Sequence, residues 1–374
     1  MKVLAVLPPG LETEGANELQ ALGALDVKPF KGSVFFQADL SCLYRVNLLA
    51  RLPFRFLREI ARFSCRSPKE LYWNIQNAFN WNIWLHPSKT FRVDVSGISD
   101  LLPHTHFTAL QVKNALVDFQ RNNWGHRSDI DTEEPDICFH LHLNGHEAVL
   151  SLDTAAFSLH RRGYRPAMGL APLKENLAAG LIRLTGWDFS TPLVDPLCGS
   201  GILLIEAVSM AIGIAPGLNR SYLFENWPDF DSDLWDSQKD FAQGKALSRP
   251  KISKIIGCEK DFNVANQAKD NIKEAGLEQF IEIHNSDFGD LELPNQKGFL
   301  VCNPPYGKRS GSEEDLPSLY QKLGSFCKQN ASGWQLWLLS GNPNLSRYLY
   351  LKANKRVPIS NGGIDCRWLH YSIK

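Results

Sequence analysis

The sequence predicts an α/β protein: a doubly wound parallel sheet over residues 171–374, preceded by smaller mixed α/β units over 1–66 and 67–155. Three observations carry this. Residues 171–374 alternate short apolar runs with helical stretches, the order that builds a parallel sheet with helices on both faces. A glycine-bearing turn, Asp195-Pro196-Leu197-Cys198-Gly199-Ser200-Gly201, joins one such run to a helix. A later run ends in the tetrad Asn303-Pro304-Pro305-Tyr306. At 374 residues the chain is long for one ordinary domain, which favours two or three modules.

In residues 1–66 the apolar pattern predicts strands at Val3–Leu7, Ser33–Gln37 and Phe54–Ser64, with helices at Glu12–Leu22 and Leu40–Leu49. In residues 67–155, Ser67-Pro68-Lys69-Glu70 is a helix start: a cap residue, proline at the first position, then an acid. That helix is expected to run to about Trp84, followed by a strand at Phe91–Ser96 and a helix from Phe107 to Asn122. Ile137–Leu143 and Glu147–Leu152 flank Asn144-Gly145, a strong hairpin signal. Residues 156–170 read as a connector, and Arg161, Arg162 and Arg165 make it a basic linker. A sharper reading lets these arginines touch a substrate or cofactor phosphate.

Strands follow at Leu193–Asp195, Lys254–Glu259, Ile281–Asn285, Phe299–Cys302 and Gln335–Ser340, and the tail from Arg356 to Ile373 reads as a β-hairpin. Residues 217–250 carry Trp227, Phe230, Trp235 and Phe241, too aromatic for a plain linker. They are expected to pack on the C-terminal domain or overhang its pocket.

Composition is that of a globular chain, 44% hydrophobic and 21% charged, with 40 basic and 40 acidic residues. Zero net charge argues mildly against a dedicated nucleic-acid binder. Arg45, Arg51, Arg55, Arg58, Arg62, Arg66 and Lys69 nevertheless cluster, as a phosphate-binding stretch or as a solvated face. Eight scattered cysteines without a C-x-x-C pair suit reduced thiols rather than disulfides or zinc. The pairs His104/His106 and His140/His142 lack partners at metal-binding spacing, so no metal is expected. The first apolar segment stops at Pro8, too short for a secretion signal, and a cytoplasmic protein is expected.

The tetrad suits one chemical task. An Asn side-chain oxygen and a proline carbonyl both accept, so together they hold an NH2 group with its lone pair aimed at an electrophile. The prolines stiffen the backbone and donate no N–H, and Tyr306 offers a flat face for stacking. The glycine turn is no Walker loop, because no Gly-Lys-Ser/Thr follows, and it is no dinucleotide fingerprint, because Leu204 holds the third glycine position. Gly199 and Gly201 allow close backbone approach to a ligand, and Asp195 places a carboxylate near a ligand ammonium. Glu259 ends the next strand, where an acid accepts ribose hydroxyls. Asp287 ends the one after, placed to take an adenine amino group, with Phe288 against the ring. Asn176 and Lys174 stand at a helix start that can reach the cofactor from its far side.

This set resembles class I S-adenosylmethionine-dependent methyltransferases that methylate amino nitrogens. With Leu159-His160-Arg161-Arg162-Gly163-Tyr164-Arg165 and Ala171–Ala178, the chain resembles, over nearly its full length, bacterial THUMP-domain RNA methyltransferases. The resemblance implies a ferredoxin-like unit at 1–66, a THUMP RNA-binding module at 67–155, and a Rossmann-like seven-stranded methyltransferase domain at 171–374. It implies S-adenosylmethionine as cofactor, S-adenosylhomocysteine as product, and ribosomal RNA or a pre-ribosomal particle as partner. Asn303, Pro304, Pro305 and Tyr306 would be catalytic. Asp195, Pro196, Cys198, Gly199, Ser200, Gly201, Glu259, Asp287, Phe288 and Asn176 would bind cofactor. The expected target is guanine N2 in 23S ribosomal RNA. The alternatives are adenine N6 in RNA or DNA, or a catalytically silent RNA-binding protein. Larger relatives carry a second methyltransferase domain; with the sequence ending at Lys374, only the first activity is expected.

Overall fold

The structure, a computed structural model, describes residues 1–165, 173–247, 252–306 and 316–374. Residues 166–170 of the expected connector, Ala171 and Pro172 of the expected helix start, residues 248–250 and Gly307 lie outside the described residues. Two compact units form, and they do not follow chain order. One comprises Met1–Leu7, Glu18–Leu159 and Gly217–Asp240; the other comprises Pro8–Asn17, His160–Pro216 and Phe241–Lys374.

The chain up to residue 153 runs β1 (Lys2–Val6), α1 (Glu12–Ala21), β2 (Leu25–Phe30), β3 (Ser33–Gln37), α2 (Leu40–Leu49), β4 (Arg55–Ser64), α3 (Pro68–Asn77) and α4 (Trp81–Trp84). It continues through β5 (Phe91–Ile98), α5 (Thr105–Trp124), β6 (Ile137–Asn144) and β7 (Glu147–Asp153). All seven strands join one sheet, ordered β2-β3-β1-β4-β7-β6-β5. The ten-residue β4 pairs antiparallel with both β1 and β7, so the two N-terminal modules share a sheet and neither leaves an open edge at the join. Alternation sets the faces: Val3, Ala5, Val34, Phe36 and Phe56 are fully buried on one side.

β2 is absent from the sequence expectation for a physical reason. It is an edge strand, five of its six residues are exposed, and it contains Pro29, so it carries no apolar alternation. The helix expected to reach Trp84 breaks after Asn77, because Trp81 Nε1 donates to the Ile75 carbonyl at 2.7 Å and the ring is fully buried. The hairpin turn is Gly145-His146, one residue beyond Asn144-Gly145: Asn144 pairs Glu147, and Gly145 takes φ 59°. Glycine with positive φ at the first turn position is the requirement of a type II′ turn.

The expected aromatic insertion is split: most of it does not group with the C-terminal domain, and Phe241 does. Gly217–Asp240 belongs to the N-terminal unit. Tyr222 OH donates toward the Asn47 and Gly217 carbonyls at 2.7 and 3.0 Å, Phe224 stacks on Tyr44 at 4.9 Å, and Asp231 N–H donates to Tyr44 OH at 3.0 Å. The arginine cluster is largely engaged within the protein. Arg55 pairs with Asp94 and Asp153, Arg58 with Asp229, and Arg62 with Glu59 and Glu147. These three are therefore not standing phosphate ligands.

The second unit contains α6 (Glu175–Thr185), β8 (Leu193–Asp195), α7 (Ile202–Ala211), β9 (Ile255–Cys258), α9 (Phe262–Glu274) and β10 (Ile281–His284), with α8 (Ser232–Leu247) between α7 and β9 in the chain. β11 (Phe299–Cys302), α10 (Leu316–Asn330), β12 (Gln335–Ser340), α11 (Pro343–Arg347), β13 (Lys355–Asn361) and β14 (Ile364–Ser372) complete it. The sheet order is β10-β9-β8-β11-β12-β14-β13. The first five strands are mutually parallel, and β14 returns antiparallel to β12. Along β11, Leu300 and Cys302 enter one apolar layer and Val301 the other, as a sheet covered on both faces requires. The N-terminal segment Pro8–Asn17 joins this unit. Ser360 N–H donates to the Pro9 carbonyl at 3.1 Å, and Leu11 packs so closely on Gly180 that a Cβ there would lie 2.2 Å from it.

The expected basic linker is in part a buried piece of this unit. Arg162 pairs with Glu206 at 3.5 Å, both side chains at most 5% exposed. Arg165 pairs with Glu175 at 3.7 Å, and Tyr164 OH donates to Glu206 at 3.0 Å. Both guanidiniums are thus committed to α6 and α7, which removes the phosphate-touching reading for them. All eight cysteines are free, buried thiols. Among the described residues, no helix is long and apolar enough to cross a membrane, and no three metal-ligating side chains come together.

Candidate functional site

Sheet order turns sequence order into a line. Asp195 closes β8, Glu259 follows β9, Asp287 follows β10 and Asn303 follows β11. The four strands are parallel and adjacent in the order β10-β9-β8-β11, so the spatial order is Asp287, Glu259, Asp195, Asn303. Three inter-strand steps of about 4.8 Å make a row of roughly 14 Å along the C-terminal ends of the strands. That edge is where open α/β sheets hold ligands.

The glycine turn is locked from below and open above. Cys198 N–H donates to the Cys258 carbonyl at 2.9 Å, and Gly199 N–H donates to Glu259 Oε2 at 3.1 Å. Gly199 and Gly201 have φ of 53° and 80°, a region that glycine enters without strain. A Cβ on Gly199 would meet nothing within 4 Å, so the backbone there faces open space. Gly257 is needed for packing instead, since a Cβ would lie 2.5 Å from Ile283 and 2.7 Å from Leu204. Asp195 is 1% exposed and accepts the Leu197 N–H at 3.1 Å. Burial pushes its carboxyl up to about 8, with Glu259 adding to the shift.

Glu259 also accepts from Asp261 N–H at 2.9 Å, so its carboxylate ties the turn after β8 to the start of α9. Asp287 accepts from Gly289 N–H at 2.8 Å and from Lys322 Nζ at 2.6 Å. The Lys322 ammonium holds its carboxyl below the usual range. Lys322 carries no motif, and only folding brings α10 beside the strand ends.

Three expected cofactor contacts read differently in the structure. Phe288 is 4% exposed and packs edge-on against Phe326 at 5.7 Å, with Lys322 Nζ 5.3 Å over its ring. It is a core residue with almost no ring surface to offer an adenine. Asn176 is fully buried, its Oδ1 accepting the Leu177 N–H at 3.0 Å. Cys198 is 5% exposed, and burial raises its thiol well above the ordinary value. Its backbone N–H anchors the turn to β9. Pro196 is buried, and the half-buried Ser200 gives its carbonyl to Asn271 Nδ2 at 3.0 Å.

The tetrad continues β11. Asn303 Oδ1 is inaccessible to solvent and has no hydrogen-bond partner among the described residues. A buried, unsatisfied acceptor is a rare and costly arrangement. Tyr320 OH donates to the Pro305 carbonyl at 3.3 Å. Tyr306 is half-buried; its OH accepts from Asn361 Nδ2 at 2.8 Å, and burial pushes its phenol up to about 12. A Cβ on Gly341 would lie 2.4 Å from the Tyr306 ring, so the glycine admits the ring. Asn361 and Gly341 thus hold the tetrad's aromatic plane. Neither was visible as a site residue, because Asn361 reads as part of a turn and Gly341 as a strand end.

Residues 162–370 match the family described as RMKL-like, methyltransferase domain; residues 66–153 match the THUMP domain; residues 2–57 match the RlmL ferredoxin-like domain. A protein of Synechocystis sp., provisionally named RNA methyltransferase slr0064, is 43% identical over 99% of this chain and 96% of its own length. A ribosomal RNA large subunit methyltransferase K/L from Syntrophotalea carbinolica is 39% identical over 100% of this chain. The chain spans about half the length of that relative, 54%. The solved structure of SMU.472, provisionally described as a methyltransferase and complexed with SAH, superposes with a TM-score of 0.89 at 26% identity, covering 100% of this chain and 98% of that one.

Proposed function

The chain belongs to the RMKL-like methyltransferase family, and from that premise we propose that it transfers a methyl group from S-adenosylmethionine to an exocyclic amino nitrogen of a base in RNA. The target assigned is guanine N2 in large-subunit ribosomal RNA, met as RNA or within a pre-ribosomal particle. The observation that carries the reading is the buried Asn303 Oδ1, an acceptor with no donor among the described residues, just past the end of β11.

S-adenosylmethionine supplies an electrophilic methyl group on a sulfonium, so no strong base is needed before attack. The row of strand ends fits it: Asp287 for the adenine amine, Glu259 for the ribose, Asp195 and the open backbone at Gly199 for the methionine end. A base extruded from its stack lies against the plane of Tyr306. Asn303 Oδ1 and the Pro304 carbonyl accept its two N–H bonds and leave the lone pair facing the methyl. As the nitrogen gains positive charge, these fixed dipoles would stabilise it more than they did the ground state; the S–CH3 bond breaks as N–CH3 forms, S-adenosylhomocysteine leaves, and the surplus N–H proton passes to water afterwards.

Asp195 makes cofactor binding depend on pH. Its carboxyl, at about 8 when buried, is brought down by the ligand ammonium, so binding releases a proton. Affinity for S-adenosylmethionine should therefore rise with pH, by up to about tenfold per unit between pH 6.5 and 7.5. It should turn over near pH 8, where an α-amino group of pKa about 7.7–8.0 loses its own proton. Calorimetry in buffers of different ionisation enthalpy reads the released proton directly; flat affinity with no proton release removes Asp195 from the methionine end.

The target is tested by nucleoside mass spectrometry of ribosomal RNA from cells with and without the gene. Loss of N2-methylguanosine is expected. Unchanged N2-methylguanosine with missing N6-methyladenosine would move the target to adenine, and no change in any RNA nucleoside would remove RNA as substrate.

A further inference from the structure

Helix α10 grips the end of the cofactor row that Asp287 occupies, using two side chains one helical turn apart. Lys322 Nζ donates to Asp287 Oδ2 at 2.6 Å, and Phe326, four residues on, meets Phe288 edge-on with ring centroids 5.7 Å apart. Lys322 Nζ also lies 5.3 Å over the Phe288 ring. The lysine has room because residue 289 is glycine: a Cβ there would lie 3.1 Å from Lys322 Cε and 3.3 Å from Asp287 Oδ1.

The Asp287 carboxylate is thereby held at both oxygens. Oδ1 accepts the Gly289 N–H at 2.8 Å, and Oδ2 accepts from Lys322. Bonds to two different oxygens fix the carboxylate plane, and each oxygen keeps a lone pair for one more donor. The Gly289 bond alone comes from the same turn and leaves the group free to swing about it. The lysine comes from another element, and its bond is of the short, charge-assisted kind. The Asp287 side chain is 25% exposed, so this fixed acceptor edge stays within reach of a ligand. The Lys322 side chain is 50% exposed, and an ion pair this open adds little to stability. Its effect falls on the orientation of Asp287 instead. An ionised carboxylate accepts and cannot donate, so it takes an amine hydrogen and rejects a carbonyl oxygen at the same place.

We propose that Lys322 is a positioning residue for cofactor selection: it fixes the plane of the Asp287 carboxylate that accepts the adenine amine, and so lets the site reject a cofactor analogue whose purine carries a carbonyl there. The proposal rests on the reading of Asp287 above and adds what orients it. Helix α10 also supports the tetrad, since Tyr320 OH donates to the Pro305 carbonyl at 3.3 Å. Damage to the helix would therefore slow methyl transfer. Loss of the ammonium alone would weaken cofactor binding and leave the saturated rate intact.

The test measures, by calorimetry on the full chain, the Kd of S-adenosylhomocysteine and of its deaminated counterpart S-inosylhomocysteine, in which a carbonyl replaces the adenine amine. The wild type should prefer the adenosyl ligand by at least about tenfold. Lys322→Met, which keeps an unbranched stem over Phe288, should raise the Kd for S-adenosylhomocysteine about three- to tenfold, the scale of one hydrogen bond, and shrink the preference by the same factor. Lys322→Arg should restore most of it. In Lys322→Met the KM for S-adenosylmethionine should rise while kcat and melting temperature hold. Asp287→Asn, whose amide can donate to the carbonyl, should abolish the preference. A preference that survives Lys322→Met but not Asp287→Asn overturns the role of Lys322 alone. So does a loss in Lys322→Met that Lys322→Arg fails to reverse, or one that comes with a lower kcat and melting temperature. A wild type without the preference, or a preference that survives Asp287→Asn, overturns the assignment of Asp287 to adenine. The binding measurements need no RNA, so they stand whatever the methyl acceptor proves to be.

Discussion

Asn303→Ala is expected to lower single-turnover methyl transfer by roughly 10²–10³, the loss found when one charge-stabilising polar group is removed from a reacting centre. The structure explains why so small a change has so large an effect. Asn303 Oδ1 is already desolvated and has no partner among the described residues, so its acceptor capacity is preorganised for an incoming amine. None of the described residues loses a hydrogen bond from that oxygen when it is removed. Folding should therefore be nearly unaffected, and S-adenosylmethionine affinity should hold, because the three acids of the cofactor row lie on other strands. Asn303→Asp keeps an acceptor but adds a buried charge, and it should also be slow. Rapid-quench kinetics with saturating cofactor and RNA separate the chemical step from binding. Intact cofactor binding with an unchanged transfer rate would falsify the role of Asn303.

The largest expected loss of stability lies away from the catalytic centre, at Glu206. Its carboxylate receives Arg162 at 3.5 Å and the Tyr164 hydroxyl at 3.0 Å, in a setting where the ion pair is at most 5% exposed. Glu206→Ala removes the carboxylate paired with a buried guanidinium, and breaking such a pair costs about 3–5 kcal/mol. Tyr164→Phe removes only a hydrogen bond and should cost about 1 kcal/mol. Denaturant unfolding measured on both variants reads the difference. Equal, small effects would show that Arg162 finds another partner and that the pair is dispensable. Because Arg162 and Tyr164 lie in the segment that leads into the catalytic unit, Glu206→Ala should also make that segment the first site of limited proteolysis.

Much of the catalytic unit was legible in the sequence because its signals are local. The tetrad Asn303-Pro304-Pro305-Tyr306 at a strand end places two acceptors beside a ring whatever surrounds it. A glycine turn between Asp195 and Ile202 announces a strand-to-helix bend. What failed to show was every feature that depends on a distant partner. Phe288 follows an acid at a strand end and reads as a ring for stacking, yet Phe326 from α10 covers it. Arg162 and Arg165 read as a basic linker, because Glu206 and Glu175 lie 44 and 10 residues further on and charge in sequence does not reveal pairing in space. Residues 217–250 read as an insertion that packs on the C-terminal domain or overhangs its pocket, yet Phe224 stacks on Tyr44, some 180 residues earlier.

The sequence by itself determined most of the elements and their local chemistry: most of the strands, the turns that need glycine, and the side chains able to accept a hydrogen bond. These follow from periodicity, backbone sterics and donor–acceptor identity, all set within a few residues. Only the tertiary structure decided who stands beside whom. The order β10-β9-β8-β11 puts Asp287, Glu259, Asp195 and Asn303 in one row, and β4 welds two modules into one sheet. Strand pairing and ion-pair choice are governed by burial and edge satisfaction across the whole unit, and no local pattern encodes them.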